Sequence, residues 1–505
     1  MSYYSKIAPI ENPIPAHRQQ AKRHYGVHPY FTRRPYNVVR DYILHYSQRG
    51  DRVLDPFGGS GVTAIEAFLE NRVGIHNDIN PFANFIAEGI AKLHEGESGS
   101  YFGALSHIEA KCKKPLADIA AANEGELDKY LRDVNLPENI TLPTTADVEK
   151  YHELFSLRQL ISLAILKDAI DSTLVDPERS AMLLAWSATL AKLNKTFLST
   201  KGRAESRGGS SIFSIYRYKV AKQSVELSPW ETFHERARNV IKAKIEINRV
   251  IELKEHTGGW SGRFESNADD VECLAARLHD SVDYIFTDPP YGGHIAYLDL
   301  SVLWNHWLGF TPDEEIRQNE IVVGGQLQLT EAHYLRKLRG SIEACLVMLK
   351  RDRWLSIVFQ HWNTIYFQTI LSSALECGAE LRAAVSQIGD PIWSMHKKKR
   401  KESILAGEMI LTFHKSGKSE IRDGAGKLDV VKEVAQLLAE TQDRQIYGES
   451  IFNQLIIRAW QKSAIGSLDI SRDEFIQLLN ENGWNYDAQQ HYWIKGAKSH
   501  HSLLG

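Results

Sequence analysis

An open α/β sheet with a large mainly helical insertion and a small C-terminal α+β module is the fold class that the sequence predicts, and three observations carry its main parts. The apolar run Val282-Asp283-Tyr284-Ile285-Phe286 reads as a buried strand, and Thr287-Asp288-Pro289-Pro290-Tyr291-Gly292 must end it, because two successive prolines cannot continue a ladder. Far upstream, Arg52 to Asp78 reads as strand, glycine-rich turn, helix and second strand, the layout of a βαβ unit. From about 102 to 194, apolar residues recur at three- and four-residue spacing, which is helical.

Taken in order, residues 1–91 read as an extended arm and the first half of the sheet. Val53-Leu54 forms a short buried strand, Thr63 to Leu69 opens a helix, and Val73 to Asp78 is the next strand. Residues 92–260 form the insertion. Leu154, Leu157, Leu160, Ile161, Leu163 and Ile165, then Met182, Leu183, Leu184, Trp186 and Leu190, are expected core stripes. Its later part, Lys192 to Lys222, sets eight cations (Lys192, Lys195, Lys201, Arg203, Arg207, Arg217, Lys219, Lys222) against one acid, Glu205. Phe197, Phe213, Tyr216 and Tyr218 interleave with them around Gly202, Gly208 and Gly209. Such a loop suits phosphate contacts and base stacking, with Lys195, Lys201, Arg203, Arg207, Arg217 and Lys219 as the contacting side chains; a solvated surface loop is the alternative. Glu231 to Leu253 is a charged amphipathic helix.

Residues 261–417 return to the sheet, with Trp354-Leu355-Ser356-Ile357-Val358-Phe359 and Met409-Ile410-Leu411-Thr412-Phe413 as later strands. Residues 418–505 form the C-terminal module: a helical stretch Leu428–Ala464, a helix capped by Ser471, and strands around Trp484 and Trp493.

The chemistry concentrates at strand ends, where ligands of open α/β sheets sit. In Asp55-Pro56-Phe57-Gly58-Gly59-Ser60-Gly61, three glycines in four positions let the backbone approach a ligand closely. Asp78, a strand-terminal acid about 20 residues on, can accept bonds from ribose hydroxyls. No Gly-Lys-Ser/Thr follows, so this is no phosphate-binding loop, and the spaced glycines of a dinucleotide site are absent. At Asp288 a carboxylate, prolyl carbonyls and an aromatic ring stand together; they can hold an exocyclic amine while the ring stacks on its base.

Asp55 to Gly61 together with Asp288-Pro289-Pro290-Tyr291 resembles the cofactor and catalytic motifs of amino-methylating DNA methyltransferases, which act on adenine N6 or cytosine N4. His28-Pro29-Tyr30-Phe31-Thr32-Arg33-Arg34-Pro35 is similar to the family's segment that closes over the methionine end of the cofactor. The resemblance covers about half the chain. It implies a Rossmann-like class I methyltransferase sheet and S-adenosyl-L-methionine held by His28, Pro29, Asp55 to Gly61 and Asp78, with Asp269, in preference to Asn267, at the adenine. It implies Asp288, Pro289, Pro290 and Tyr291 as the catalytic set, with Tyr291 stacked on a base flipped out of double-stranded DNA. Methyl transfer to adenine N6 is the first expectation, since Asp rather than Ser opens the motif, and N4-cytosine is the alternative. The Asp-Pro-Phe-x-Gly-Ser-Gly wording is typical of members whose catalytic motif comes first. Here it precedes the catalytic motif by some 230 residues, so recognition by the 92–260 region does not follow from motif order.

Composition narrows this further. At 505 residues, 43% hydrophobic and 24% charged, the chain has room for two or three sizeable cores. A net charge of −3 carries no global sign of nucleic-acid affinity, so any basic face is local. Four scattered cysteines (Cys112, Cys273, Cys345, Cys377) build neither a zinc site nor a disulfide framework and fit a reducing cytoplasm. No Cys nucleophile accompanies the motifs, which argues against carbon-5 cytosine methylation. No signal peptide or membrane-length apolar run is seen. Two rivals stand beside DNA methylation. An RNA methyltransferase acting on guanine N2 or adenine N6 shares Asp-Pro-Pro-Tyr but ordinarily carries an upstream RNA-binding region, and fewer than 30 residues precede His28. A non-catalytic nucleic-acid-binding subunit ordinarily loses the motif acid or glycines, which this chain keeps. Restriction or phage-defence proteins are candidate partners.

Overall fold

Seven strands form the central sheet of the computed structural model, which describes residues 3–17, 23–93, 99–199, 208–222, 225–293, 295–388, 407–417, 426–446, 448–487 and 492–496. They are β1 (Arg52–Asp55), β2 (Val73–Asn77), β5 (Arg263–Asn267), β6 (Val282–Thr287), β7 (Leu349–Phe359), β8 (Ala379–Ile388) and β9 (Gly407–Lys415), in the order β5-β2-β1-β6-β7-β9-β8. The first five run parallel, and β9 lies antiparallel between β7 and β8. This is a mixed α/β, Rossmann-like architecture. Parallel pairing brings the carboxy ends of β5, β2, β1 and β6 to one edge. The pairing of Phe359 with Met409 adds the start of β9 to that edge.

Alternation along the strands explains the two-layer core. Val53, Tyr284, Phe286, Trp354, Val358 and Ile410 join one cluster, while their neighbours Leu54, Ile285, Leu355, Ile357, Phe359, Met409 and Leu411 join another. Successive side chains of a strand point to opposite faces, and a sheet covered on both faces needs apolar residues at both. Each of these buried side chains contributes about 1.5–3 kcal/mol relative to exposure.

The first cluster takes in the arm and the insertion. Helix α1 (Tyr36–Tyr46) starts after Pro35, and the arm before it is pinned by Trp354 Nε1 to the Tyr4 carbonyl (2.9 Å) and by Gln387 Nε2 to that of Ile14 (2.6 Å). Helix α2 (Val62–Leu69) is buried along its whole length, and α3 (Pro81–Ala91) begins where the Asn80 side chain accepts from the Phe82 amide and Pro81 fits the first turn. The insertion folds as α4 (Gly99–Ala121), α5 (Glu124–Arg132), α6 (Leu157–Thr173), α7 (Glu178–Leu190), a hairpin of β3 (Phe197–Ser199) and β4 (Gly208–Ser210), the short α8 (Ser211–Ser214) and the long α9 (Pro229–Gly258). It grips α11 (Tyr297–Leu308), the helix after the Asp288 motif. The Tyr151 hydroxyl donates to the Leu303 carbonyl at 2.6 Å, that of Tyr218 to Leu300 at 2.7 Å, and Trp304 Nε1 to Ser187 at 3.1 Å. Trp304 also stacks on Phe82, centroids 4.5 Å apart.

The second cluster is covered by α10 (Val271–Arg277), α13 (Glu331–Met348) and α14 (Thr364–Glu376); α12 (Glu314–Gln318) lies between α11 and α13. Beyond Lys427, α15 (Val430–Glu440), α16 (Gly448–Gln461) and α17 (Arg472–Glu481) pack with a small antiparallel sheet of β10 (Gln445–Ile446), β11 (Trp484–Asp487) and β12 (Tyr492–Lys495). The stretch read as one helix is thus two, parted by β10. Ser471 caps α17 in a reciprocal box with Glu474. Trp362 fastens this part to the sheet, its ring 4.4 Å from that of Phe452. Among the described residues no helix is long and apolar enough to cross a membrane.

Candidate active site

At the carboxy edge of the sheet lies an open cleft, and both sequence constellations line it. From the first come Asp55, Pro56, Phe57, Gly58, Gly59, Ser60 and Asp78, and from the second Asp288 and Pro290. Asp269, Asp270 and Val271 close one side, while Tyr30, Thr32, Arg33 and Arg34 of the arm and Tyr297, Leu298 and Glu320 close another.

The glycine turn is built by backbone demand. Gly59 and Gly61 have φ of +51° and +85°, in the left-handed region that L side chains avoid. A Cβ at Gly58 would stand 2.1 Å from His76 Nδ1. Asp78 locks the turn by accepting from the Gly59 amide at 2.8 Å and the Asn80 amide at 2.9 Å. Asp55 lies beneath it, accepting from Thr63 and Thr287 hydroxyls (2.8 Å each) and the Phe57 amide (3.1 Å). Thr287 links the two constellations, since it ends β6 directly before Asp288. Burial raises the Asp55 carboxyl to about 7 and the Asp78 carboxyl to about 6, because these hydrogen bonds only partly replace the lost water. Asp269 reaches the cleft through Asn77, whose Nδ2 donates to the Asp269 carbonyl and whose Oδ1 accepts its amide, both at 3.0 Å; the Asp269 carboxylate pairs with Arg277.

The Asp288 side is held by side chains. Arg34 Nε donates to Asp288 Oδ2 at 2.6 Å, and the Tyr291 hydroxyl donates to Oδ1 at 2.6 Å. Arg34 also reaches the Tyr291 oxygen at 3.2 Å and pairs with Glu408 at the start of β9. Burial disfavours the guanidinium charge, yet Asp288 and Tyr291 outweigh it and hold Arg34 above its ordinary range. The Tyr291 ring packs edge-on to Phe359, centroids 5.0 Å apart, and the Pro290 carbonyl accepts the Tyr334 hydroxyl at 2.7 Å. Tyr291 is half-buried and not among the lining residues, whereas Tyr297 lines the cleft. Burial, then Asp288, push the Tyr297 hydroxyl upward against a hydrogen bond with Thr32; Tyr216 of the insertion adds to the rise. Glu320, also buried, accepts from the Leu298 amide at 3.0 Å, and burial lifts it to about 8.

His28 and Pro29 are not among the lining residues. His28 is enclosed between the Pro29 carbonyl (2.7 Å) and the Ser187 hydroxyl (2.9 Å), and burial lowers its pKa to about 3. Its neighbours do line the cleft: the Arg33 guanidinium donates to Ser60 at 2.8 Å and to the Tyr25 and His28 carbonyls, which ties the arm to the glycine turn. Gly61 caps α2 in place of lining the cleft, and Pro289 lies between two residues that do. Of the basic loop, Lys201, Arg203 and Arg207 lie outside the described residues. Lys219 is exposed and Lys195 half-buried. Arg217 is committed to Asp147 and the Thr145 carbonyl, both at 2.6 Å, an acid far away in sequence that offsets part of the loop's charge. Glu320 was not singled out from sequence; Arg34 lies in the arm segment similar to the family's cofactor-closing element, and Tyr297 in the run Ile295 to Ser301, which the sequence offers as further pocket wall. A signal for Arg34 was present in the paired arginines of the arm, while Glu320 carries none.

Comparisons with known proteins agree with this geometry. Residues 9–88 match the family model described as DNA methylase. The chain is 22% identical over 282 residues to Type II methyltransferase M.MvaI of Kocuria varians, a match covering 54% of this chain and 55% of that protein. The chain thus spans about half the length of the curated relative it matches. These findings support an amino-methyltransferase family for this chain.

Proposed function

We propose that the protein transfers a methyl group from S-adenosyl-L-methionine to an exocyclic amine of a base in double-stranded DNA, with adenine N6 as the preferred target and cytosine N4 as the alternative. The observation that carries this reading is the single cleft lined both by the glycine turn with Asp55 and Asp78 and by Asp288 and Pro290.

The residues present fit the cofactor. Asp78 is a half-buried strand-end carboxyl with one oxygen on the Gly59 amide and the other on the Asn80 amide, suited to a ribose diol. Phe57, Ile79 and Val271 supply apolar walls for a nucleobase, with Asp269 beside them. When bound, the cofactor supplies an electrophilic methyl group on a sulfonium. On the other side, the amine is a poor nucleophile because its lone pair is delocalised. Asp288 and the Pro289 carbonyl accept its hydrogen bonds and favour a pyramidal nitrogen. Holding the amine in line accounts for much of the expected acceleration, and acceptors fixed before the reaction add to it. The base is extruded to reach the cleft, where Tyr297 rather than Tyr291 is the ring available for stacking. We assign target contacts to the insertion, whose Phe213 packs on Phe31, the ring that also meets Tyr297, and whose Tyr218 holds α11.

Incubating the purified protein with isotope-labelled cofactor and either duplex DNA or RNA, then mapping the labelled base, tests the reading. Label on adenine or cytosine amines of DNA is expected. Label on RNA alone moves the protein to the RNA-directed class, and no transfer with retained nucleic-acid binding moves it to the non-catalytic class.

A further inference from the structure

Both oxygens of Asp288 are engaged in this structure. Oδ1 accepts the Tyr291 hydroxyl and Oδ2 accepts Arg34 Nε, each at 2.6 Å. The methyl-transfer reading assigns this carboxylate to a base amine, and the donor on Oδ2 comes from the arm, outside the motif, so it is the bond that an entering amine would displace. The guanidinium resembles what it would be exchanged for: a planar nitrogen group presenting N–H donors in its own plane, as an adenine or cytosine amino edge does. Arg34 cannot simply retire into water, for its side chain is only 15% exposed and an uncompensated buried charge is costly. A second carboxylate is already in contact with it, Glu408 at the first turn of β9, on the same sheet edge.

We propose that Arg34 is the group with which the target amine exchanges at Asp288, and that Glu408 retains Arg34 once Asp288 is yielded. The proposal rests on the methyl-transfer reading and adds to it a specificity residue outside both motifs. A base with an exocyclic amine replaces the N–H that Asp288 loses. Thymine presents an oxygen there, leaves Oδ2 without a donor, and is rejected. Arg34 thus sets the standard of hydrogen-bond donation that an entering base must meet. Its pairing also keeps Asp288 and Tyr291 in place before any base arrives.

The exchange makes the two partners of Arg34 oppose each other, and that is measurable without turnover. With S-adenosylhomocysteine present to prevent transfer, affinity is measured for a duplex holding the target base opposite an abasic position and for the same duplex without the target base. The ratio of the two isolates pocket occupancy from general attraction of DNA for cations. Arg34→Met, which has no N–H donor, removes the competitor and should raise the ratio about three- to tenfold. Glu408→Gln removes the carboxylate that would retain Arg34 once Asp288 is yielded and should lower it by a similar factor. Arg34→Lys, which keeps the charge but cannot span both carboxylates, should lower it as Glu408→Gln does. Unchanged affinity for S-adenosylhomocysteine reports that each variant is folded. Ratios that move in the same direction for Arg34→Met and Glu408→Gln, or that do not move, overturn the exchange. If the unmodified protein transfers methyl groups while the ratios behave so, only the exchange fails; if it transfers none, the methyl-transfer reading fails first.

Discussion

The two sides of the cleft hold their carboxylates by different means. Asp55 and Asp78, on the glycine-turn side, are fixed by backbone amides and threonine hydroxyls and have no cation at hydrogen-bond distance among the described residues. Asp288, on the other side, is fixed by Arg34 and Tyr291, long side chains that reach it from the arm and from its own motif. Backbone donors cannot leave, so under the proposed function the first pair is a rigid seat for the cofactor. Side-chain donors can be exchanged, so the second site can release its partner to a base. The difference separates a permanent binding surface from a reactive one.

The sharpest way to test that separation is to remove one acid from each side. Asp288→Ala should lower methyl transfer by about a thousandfold or more, as loss of a transition-state partner does, with cofactor affinity retained. Asp78→Ala should do the reverse, weakening cofactor binding by about 1–3 kcal/mol in calorimetry. Retained turnover in the first variant, or unchanged affinity in the second, would erase the distinction. Gly58→Ala probes the rigidity of the seat. Its new methyl group would press on His76, which is buried and bonded to Asn84, and should cost about 1–3 kcal/mol of stability together with cofactor affinity.

Only one side of the cleft was fully legible before folding. The glycine turn and the strand-end acids follow from local demands: left-handed backbone at Gly59 and Gly61, a βαβ period, and a carboxylate one residue past a buried strand. The helical periodicity of the insertion was legible for the same reason. The pairing of Arg34 with Asp288 spans 254 residues and depends on how the arm lies over β7 and β8, which no local pattern encodes. The edge-on contact of Tyr291 with Phe359, the packing of Phe213 on Phe31, and the neutralisation of Arg217 by Asp147 are tertiary in the same sense. His28 illustrates the converse: the arm segment resembling a cofactor lid does reach the cleft, but through Tyr30, Thr32, Arg33 and Arg34.

A smaller effect separates the sides by pH. Burial raises the folded carboxyls of Asp55 to about 7, Asp78 to about 6 and Glu320 to about 8, above their ordinary values near 4. Between about pH 4 and 8 the folded protein therefore keeps protons that the unfolded chain has released. The unfolded state binds fewer protons, so stability falls as pH rises through this window and levels off above it. Asp55→Asn should shrink the difference in melting temperature between about pH 5 and pH 8; an unchanged difference would mean that Asp55 is ionised throughout. Smallest of all should be the response of the basic loop. Replacing Arg203, Arg207, Arg217 and Lys219 by Ala should flatten the salt dependence of DNA binding by roughly one log-log unit for each phosphate that is no longer neutralised. Arg217, already paired with Asp147, should contribute least. An unaltered slope assigns the loop to solvent.

Mass spectrometry of nucleosides from DNA of cells expressing the protein tests the central claim most directly. The account predicts a base methylated on its exocyclic amine, N6-methyladenine first and N4-methylcytosine as the alternative, absent when Asp288→Ala is expressed instead. Carbon-5 methylcytosine, no methylated base, or amine methylation undiminished in the Asp288→Ala cells would contradict it.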